Sequence, residues 1–219
     1  MAESTRHLYV YEGAEADVQW DERLCIHVGE CGRAEGELFV GGRKPWCQPD
    51  VTTVDEAIDV VQRCPTGALV AKPHDGRAVE GAPLPNTVAV ANHGPLYLQG
   101  ELDIDRADED MASVRYRAAL CRCGHSKSKP FCDNAHEAAG FSDRGAIGRV
   151  GDGTDEQGGP LEVKCIANGP LLLSGNFALT TPSGRVAYRG KRAILCRCGH
   201  SKNKPFCDNA HRAKGFVAD

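Results

Sequence analysis

The chain has 219 residues, enough for one large domain or two to three small ones, and its 26 basic and 30 acidic side chains leave a net charge of -4 that gives a nucleic-acid role no electrostatic support. No apolar run approaches the length of a membrane span, and Met1 to Tyr11 has neither the basic start nor the apolar core of a signal peptide. Eleven cysteines without an export signal fit a reducing, cytoplasmic setting, where cysteines hold metal more often than they form disulfides.

His7 to Tyr11 reads as a strand. Cys25-Ile26-His27-Val28-Gly29-Glu30-Cys31 follows as a loop with two thiols. Leu38-Phe39-Val40 reads as a strand ending at the turn signal Gly41-Gly42. Cys47 then stands in a proline-flanked loop, Pro45-Trp46-Cys47-Gln48-Pro49. Thr53-Val54-Asp55-Glu56 is a capping box, and the spacing of Val54, Ala57, Ile58 and Val61 predicts a helix from Val54 to about Arg63. Cys64-Pro65 ends that helix, and Ala68 to Ala71 reads as a closing strand.

Over roughly residues 7–71 this order resembles a bacterial-type ferredoxin with a single cluster. It is also similar to divergent single-cluster domains carrying Cys-x-His-x-Gly-x-Cys and Cys-Pro-x-Gly-Ala-Leu, here Cys25 to Cys31 and Cys64 to Leu69. The resemblance implies that Cys25, Cys31 and Cys64 are cluster ligands. Val28 stands where the usual run has its middle cysteine, and it cannot ligate. Three thiolates suit a [3Fe-4S] cluster, whereas Cys47 as a fourth ligand makes [4Fe-4S]. The alternative is a small cysteine-rich fold with zinc or free thiols.

Lys72 to Pro85 reads as a linker. Thr87 to Ala91 reads as a strand, and His93 to Gly100 as turn, strand and turn. Glu101 to Asp110 is acidic and reads as a solvated loop. Val114 to Leu120 reads as a strand running into Cys121, and Ser142 to Pro160 as a second linker or long loop. Asn168 to Gly175 then repeats the segment ending at Gly100 at an offset of 75 residues. Cys165 falls where the first copy has Val90 and reads as a buried strand thiol.

The same offset relates Cys121-Arg122-Cys123 through Cys132 and His136 to Cys196-Arg197-Cys198 through Cys207 and His211, so the chain carries an internal duplication. Each copy reads C-x-C-x8-C-x3-H, and three thiolates with one imidazole complete a set for iron or zinc. In an extended segment Cys121 and Cys123 point the same way. Cys132 and His136 share a face if they lie on one helix, which Asp133 would cap and Gly140 would end, as Gly215 would in the second copy. His125 and His200 are expected to be exposed or to stand behind the ligands. Lys127, Lys129, Lys202 and Lys204 read as solvated loop charge.

Ser126, Pro130, Cys132, Asp133 and His136, matched by Ser201, Pro205, Cys207, Asp208 and His211, resemble the CDGSH iron–sulfur domain. Asn134-Ala135 and Asn209-Ala210 replace its Gly-Ser, and Asn is the mildest loss if that position takes a positive φ. The resemblance implies two [2Fe-2S] clusters, with Cys121 and Cys123 on one iron, Cys132 and His136 on the other, and likewise Cys196, Cys198, Cys207 and His211. It also implies that the two repeats form an intrachain pseudo-dimer and that the protein is a monomer.

The fold class read from the sequence is α+β. A small ferredoxin-like domain spans 1–75, and a β-rich pseudo-dimeric CDGSH-like unit follows, its repeats at 86–145 and 160–219. The function read is a multi-cluster iron–sulfur protein for electron transfer, cluster transfer or redox sensing, with an unidentified redox or cluster-acceptor protein as partner. The alternative is a zinc-stabilised interaction module. No nucleotide loop or nucleophile–base pair points to an enzyme.

Overall fold

The computed structural model describes residues 7–153 and 156–218, and the chain divides into two compact units, Met1–Gly81 and Ala82–Asp219. Sheet predominates, with a few short helices and one longer one.

In the first unit, β1 (Leu8–Tyr11), β2 (Ala16–Asp21) and β3 (Leu69–Pro73) form an antiparallel sheet in that order. A short helix, α1 (Glu30–Arg33), carries Cys31. The longer α2 (Val54–Gln62) starts where the capping box places it. Thr53 Oγ1 accepts the Glu56 N–H at 3.3 Å, and the Glu56 carboxylate accepts the Thr53 N–H at 3.0 Å. Its buried face, Ala57, Val60 and Val61, packs with Val18, Leu69 and Phe39. Two expectations change here. Leu38-Phe39-Val40 is not a strand, since a single bridge, Phe39 to Cys47, is all that pairs there. The strand β2 was not expected, although its alternating burial makes it the centre of the sheet.

In the second unit the first repeat supplies β4 (Thr87–Val90), β5 (Leu96–Gln99), β6 (Leu102–Ile104), β7 (Arg117–Leu120) and α3 (Ala135–Ala138). The second supplies β8 (Leu161–Cys165), β9 (Leu171–Thr180), β10 (Val186–Leu195) and α4 (Ala210–Ala213). All seven strands join one sheet. Within a repeat the pairs are antiparallel: β4 with β5, β5 with β7, β8 with β9 and β9 with β10. Between repeats they are parallel and reciprocal. Strand β6 pairs β8 with Asp103 opposite Glu162, and the far half of β9 pairs β4 with Ala178 opposite Thr87, the same register shifted by the repeat.

Each repeat therefore completes the other's sheet, and Leu98, Val88, Leu161, Leu173 and Leu179 are buried along it. Burial of this apolar surface, at roughly 25 cal/mol per Å², is what holds the repeats together. Leu102 and Ile104 are buried, so part of the acidic segment 101–110 is a strand and not a solvated loop. Ala112–Arg115 is a 3-10 turn, which shortens the predicted strand to β7.

Candidate metal centres

Each metal loop of the second unit leaves a strand end and folds back on it. The Cys121 N–H donates to the Pro130 carbonyl and the Cys132 N–H to the Ala119 carbonyl, both at 2.9 Å. Cys196 and Cys207 do the same with Pro205 and Ile194. The serine and aspartate of the motif brace the loop from inside. Ser126 Oγ donates to the Phe131 carbonyl at 2.6 Å and accepts the Ser128 N–H, and Asp133 accepts the N–H groups of Lys127 and Ala135. Ser201 and Asp208 repeat these contacts. Lys129 and Lys204 each donate to the carbonyl of the loop serine, so they are braces more than free surface charge.

The closing histidine is placed differently from expectation. Cys132 precedes α3 and does not lie on it, and Asn134, not Asp133, is the N-cap, at φ 68. Asn209 has the same φ. This is the left-handed turn that asparagine tolerates, and it brings Cys132 and His136 together without a shared helical face. A four-residue helix also has little macrodipole, so the stabilising N–H groups come from the loop: Asn134 donates to Cys132 Sγ at 3.4 Å and Asn209 to Cys207 Sγ at 3.3 Å. Gly140 and Gly215 end the helices with φ near +60, as predicted. The next N–H, of Phe141 or Phe216, reaches back to the carbonyl of His136 or His211 at 3.0 Å and fixes that residue.

The donor atoms fall into pairs. Cys121 and Cys123 Sγ are 3.6 Å apart, and Cys196 and Cys198 are 3.7 Å apart. Cys132 Sγ lies 3.5 Å from His136 Nδ1, and Cys207 Sγ 3.6 Å from His211 Nδ1. Metal–sulfur bonds of about 2.3 Å and metal–nitrogen bonds of about 2.0–2.1 Å at tetrahedral angles put two thiolates about 3.8 Å apart, and thiolate and imidazole about 3.6 Å apart. Each pair thus has the spacing of two donors on one tetrahedral ion, and far more than a disulfide. Among the described residues no three such side chains converge on one point.

The electrostatics suit metal uptake. The Cys123 thiol, then burial and the N–H groups of Ser126 and Gly124, act on Cys121. The hydrogen bonds outweigh burial and hold its thiol down at about 6. Cys123 is pushed up by that same shared bond. Cys196 and Cys198 repeat this, with Cys196 at about 6. Burial pushes Cys132 up to about 12 and raises Cys207. Thiols so protonated must release protons on binding metal. Burial lowers His136, which favours the neutral, ligating imidazole. The donor set therefore fits an iron–sulfur group.

The two loops meet. Cys123 and Cys198 form a backbone bridge, and a Cβ on Gly124 would fall 2.5 Å from the Cys198 carbonyl oxygen, one on Gly199 2.3 Å from that of Cys123. Sequence reasoning did not find this junction. It also missed Arg122 and Arg197, each standing between the two cysteines of its motif, where identical placement in both copies was the available signal. Both are fully buried. Arg122 Nε donates to the Gly94 carbonyl at 2.8 Å and Arg197 Nε to the Gly169 carbonyl at 3.0 Å. Their rings of donors tie the loop before the central strand to the metal loop. His125 and His200 are exposed, the first donating its backbone N–H to Cys123 Sγ.

In the first unit Cys25, Cys31 and Cys64 line one cavity of about 540 Å³, together with His27, Trp20 and Trp46. Burial, then the neighbouring Cys64 and Cys25, push the Cys31 thiol up. Thr66 Oγ1 lies 3.4 Å from Cys64 Sγ, and His27 Nδ1 3.9 Å from Cys25 Sγ. The left-handed turns at His27 and Gly29 aim this loop into the cavity. Cys47 does not line it. That residue is 0% exposed in the core beside Phe39 and Val18, and burial pushes its thiol up to about 12. Cys165 is buried on β8, its N–H donated to Asp105 at 2.9 Å.

Comparison with known proteins agrees with this arrangement. Residues 11–73 match the family model described as a divergent 4Fe-4S mono-cluster domain, and residues 93–137 and 168–212 each match the iron-binding zinc finger of CDGSH type. The uncharacterized protein YjdI of Escherichia coli strain K12 is 42% identical over 59 residues, which is 27% of this chain and 78% of that protein. YjdI of Escherichia coli O157:H7 matches to the same extent, and no solved structure matches. With one divergent 4Fe-4S mono-cluster domain followed by two CDGSH-type iron-binding motifs, this chain is an iron–sulfur protein.

Proposed function

We propose that the chain carries electrons, or hands on clusters, at three sites and turns over no substrate of its own. Cys121, Cys123, Cys132 and His136 hold one [2Fe-2S] cluster, and Cys196, Cys198, Cys207 and His211 the other. The observation that carries this reading is the pairwise donor spacing of 3.5 to 3.7 Å. Two irons each needing two protein donors match it. A single zinc needs four donors at one point. Cys25, Cys31 and Cys64 hold the third cluster, of three or four irons, with Cys47 as packing.

Each [2Fe-2S] group would supply one-electron chemistry, at a potential above that of an all-cysteine site because one thiolate is replaced by a neutral imidazole. The chain's own residues do the rest. Backbone N–H groups aimed at the sulfurs offset negative charge, and burial of Cys121, Cys123, Cys132, Cys196 and Cys198 restricts water. The reciprocal pairing of β6 with β8 and of β9 with β4 supports an intrachain pseudo-dimer in which one chain supplies both halves. Among the described residues no helix is long and apolar enough to cross a membrane, and a cytoplasmic redox or cluster-acceptor protein is the proposed partner.

Anaerobic purification with iron and sulfide counts, visible absorption and paramagnetic resonance tests the reading. The expected result is two [2Fe-2S] signals and a separate signal from the first unit. A colourless, zinc-loaded protein overturns it. If residues 86–219 alone retain all the iron, the first unit holds no cluster.

A further inference from the structure

The duplication is close enough for a difference beside its buried arginines to stand out. In the first copy Arg122 Nη1 donates to Asp143 Oδ1 at 2.5 Å, and Nη2 reaches the carbonyls of Ala91 and Asp143. In the second copy Arg197 Nη2 reaches the corresponding carbonyls, of Ile166 at 2.7 Å and Ala218 at 3.3 Å. The residue 75 positions after Asp143 is Ala218, which has no carboxylate. Arg197 Nη1 is accordingly buried with no hydrogen-bond partner among the described residues. The titratable and charged groups that face Arg197 are Cys165 and Arg106, with Cys121 of the first site. Asp105, the nearest acid to Cys165, is engaged with the Cys165 N–H.

The exposed charges differ in the same direction. Segment 121–143 holds three basic and three acidic residues, whereas segment 196–218 holds five basic and one acidic, Arg212 standing where the first copy has Glu137. Each loop lysine reaches toward the other copy. Lys204 faces Asp143, while Lys129 lies over the Phe216 ring at 5.8 Å, beside Ala218 in sequence and not beside an acid. Exposed charges are screened by salt, but a buried guanidinium is screened much less.

We infer that the two sites are unequal and that the second is the electron-holding one. The inference rests on the [2Fe-2S] reading above. An extra electron is better compensated at the second site, where Arg212 acts on Cys207 while Glu137 stands in its place beside His136, and where Arg197 lacks the carboxylate that neutralises Arg122. One electron from an external reductant settles at Cys196–His211. If it enters first at Cys121–His136, that site is oxidised as the second is reduced, with no net change in the charge of the chain. The junction of Cys123 with Cys198 keeps the path short.

The test is a reductive titration of the full cluster-loaded chain with dithionite, followed by visible absorption and paramagnetic resonance. The expected result, beside the separate signal of the first unit's cluster, is two [2Fe-2S] one-electron steps whose equilibrium constants differ at least tenfold, which is about 59 mV. Asp143→Asn should raise the lower step toward the upper one and move the upper one less, since Asp143 is hydrogen-bonded to Arg122 and only faces Lys204, which identifies the first site. Ala218→Asp should lower the upper step. It keeps the inference testable if Asp143→Asn folds poorly. Two sites that titrate together with full iron and sulfide overturn the inference alone. Absence of [2Fe-2S] iron overturns the reading beneath it as well. An upper step unmoved by Ala218→Asp in a fully loaded protein also overturns the inference.

Discussion

The junction between the two metal loops makes a sharp comparison between glycines possible. Gly124 has φ +88, and a Cβ there would sit 2.5 Å from the Cys198 carbonyl oxygen. Gly140 has φ +62 with nothing within 4 Å of a Cβ. Replacing either with alanine imposes the left-handed penalty, about 1–2 kcal/mol. At Gly140 that is the whole cost. At Gly124 the chain must also move, because real Cβ atoms do not approach carbonyl oxygens so closely. Overpacking of this kind costs about 1–3 kcal/mol more. Gly124→Ala is therefore expected to lose about 2–5 kcal/mol and Gly140→Ala about 1–2 kcal/mol. The carbonyl displaced by Gly124→Ala belongs to the other site, so that variant should also release iron faster from Cys196–His211. Denaturant midpoints and iron release to a chelator measure both effects. Equal losses in the two variants, with iron retention unchanged, would refute the close-packed junction.

Three further outcomes follow from the geometry. Replacing His136 and His211 with cysteine should slow the bleaching of visible absorption as pH falls through the acid range, because a protonated imidazole cannot ligate. If the double variant bleaches as fast as the parent, the histidines are not ligands. Burial raises the Asp143 carboxyl, but the hydrogen bond and charge of Arg122 outweigh burial and leave it below its ordinary value. Its contribution to stability is present above the unfolded value, about 3.9, and is lost as pH falls through the lower folded value. Asp143→Asn should thus cost about 1.5–3 kcal/mol at pH 7, with the gap to the parent closing below about pH 4 in denaturant titrations. A gap that stays constant with pH would mean the carboxylate charge contributes nothing. Cys47→Ser should leave the oxidised paramagnetic spectrum unchanged and lower the unfolding free energy by about 1–3 kcal/mol, the cost of an unsatisfied buried hydroxyl, read from denaturant titrations. A new three-iron signal in that variant would instead make Cys47 a ligand.

Much of this was legible in the sequence because it rests on local rules. The capping box at Thr53 and Glu56 is a four-residue signal, and it starts α2 where expected. The repeat offset locates both metal loops, and the replacement of glycine by Asn134 and Asn209 agrees with their φ of 68. What was not legible depends on pairing between distant residues. Strand β2 is set by its neighbours β1 and β3, and it lacks a strong run of branched residues of its own. The strand β6 lies in an acidic segment, yet Leu102 and Ile104 are buried because β8 of the other repeat lies beside them. Helical spacing misplaced Cys132 on α3, since a left-handed residue also makes an i, i+4 contact. Cys47 looked available in its loop, and only the bridge to Phe39 reveals it as core.

The most consequential difference was in the sequence all along but had no meaning there. Asp143 and Ala218 are equivalent by the repeat offset, and each lies in a segment with no regular structure, where a change from acid to alanine reads as surface drift. It becomes informative once Arg122 is 1% exposed and Arg197 0% exposed, because a buried cation leaves few positions from which a carboxylate can neutralise it. Two identical chains forming such a unit would have to carry the same residue at both places. Two copies within one chain do not, so each metal loop can acquire its own electrostatic setting while the reciprocal strand pairing keeps the shared sheet intact. The backbone hydrogen bonds of Arg122 and Arg197 correspond one for one, and among the hydrogen-bond partners of these two arginines the divergence is a single carboxylate. That pattern is what a fold would show if the scaffold were held constant while one site was tuned against the other.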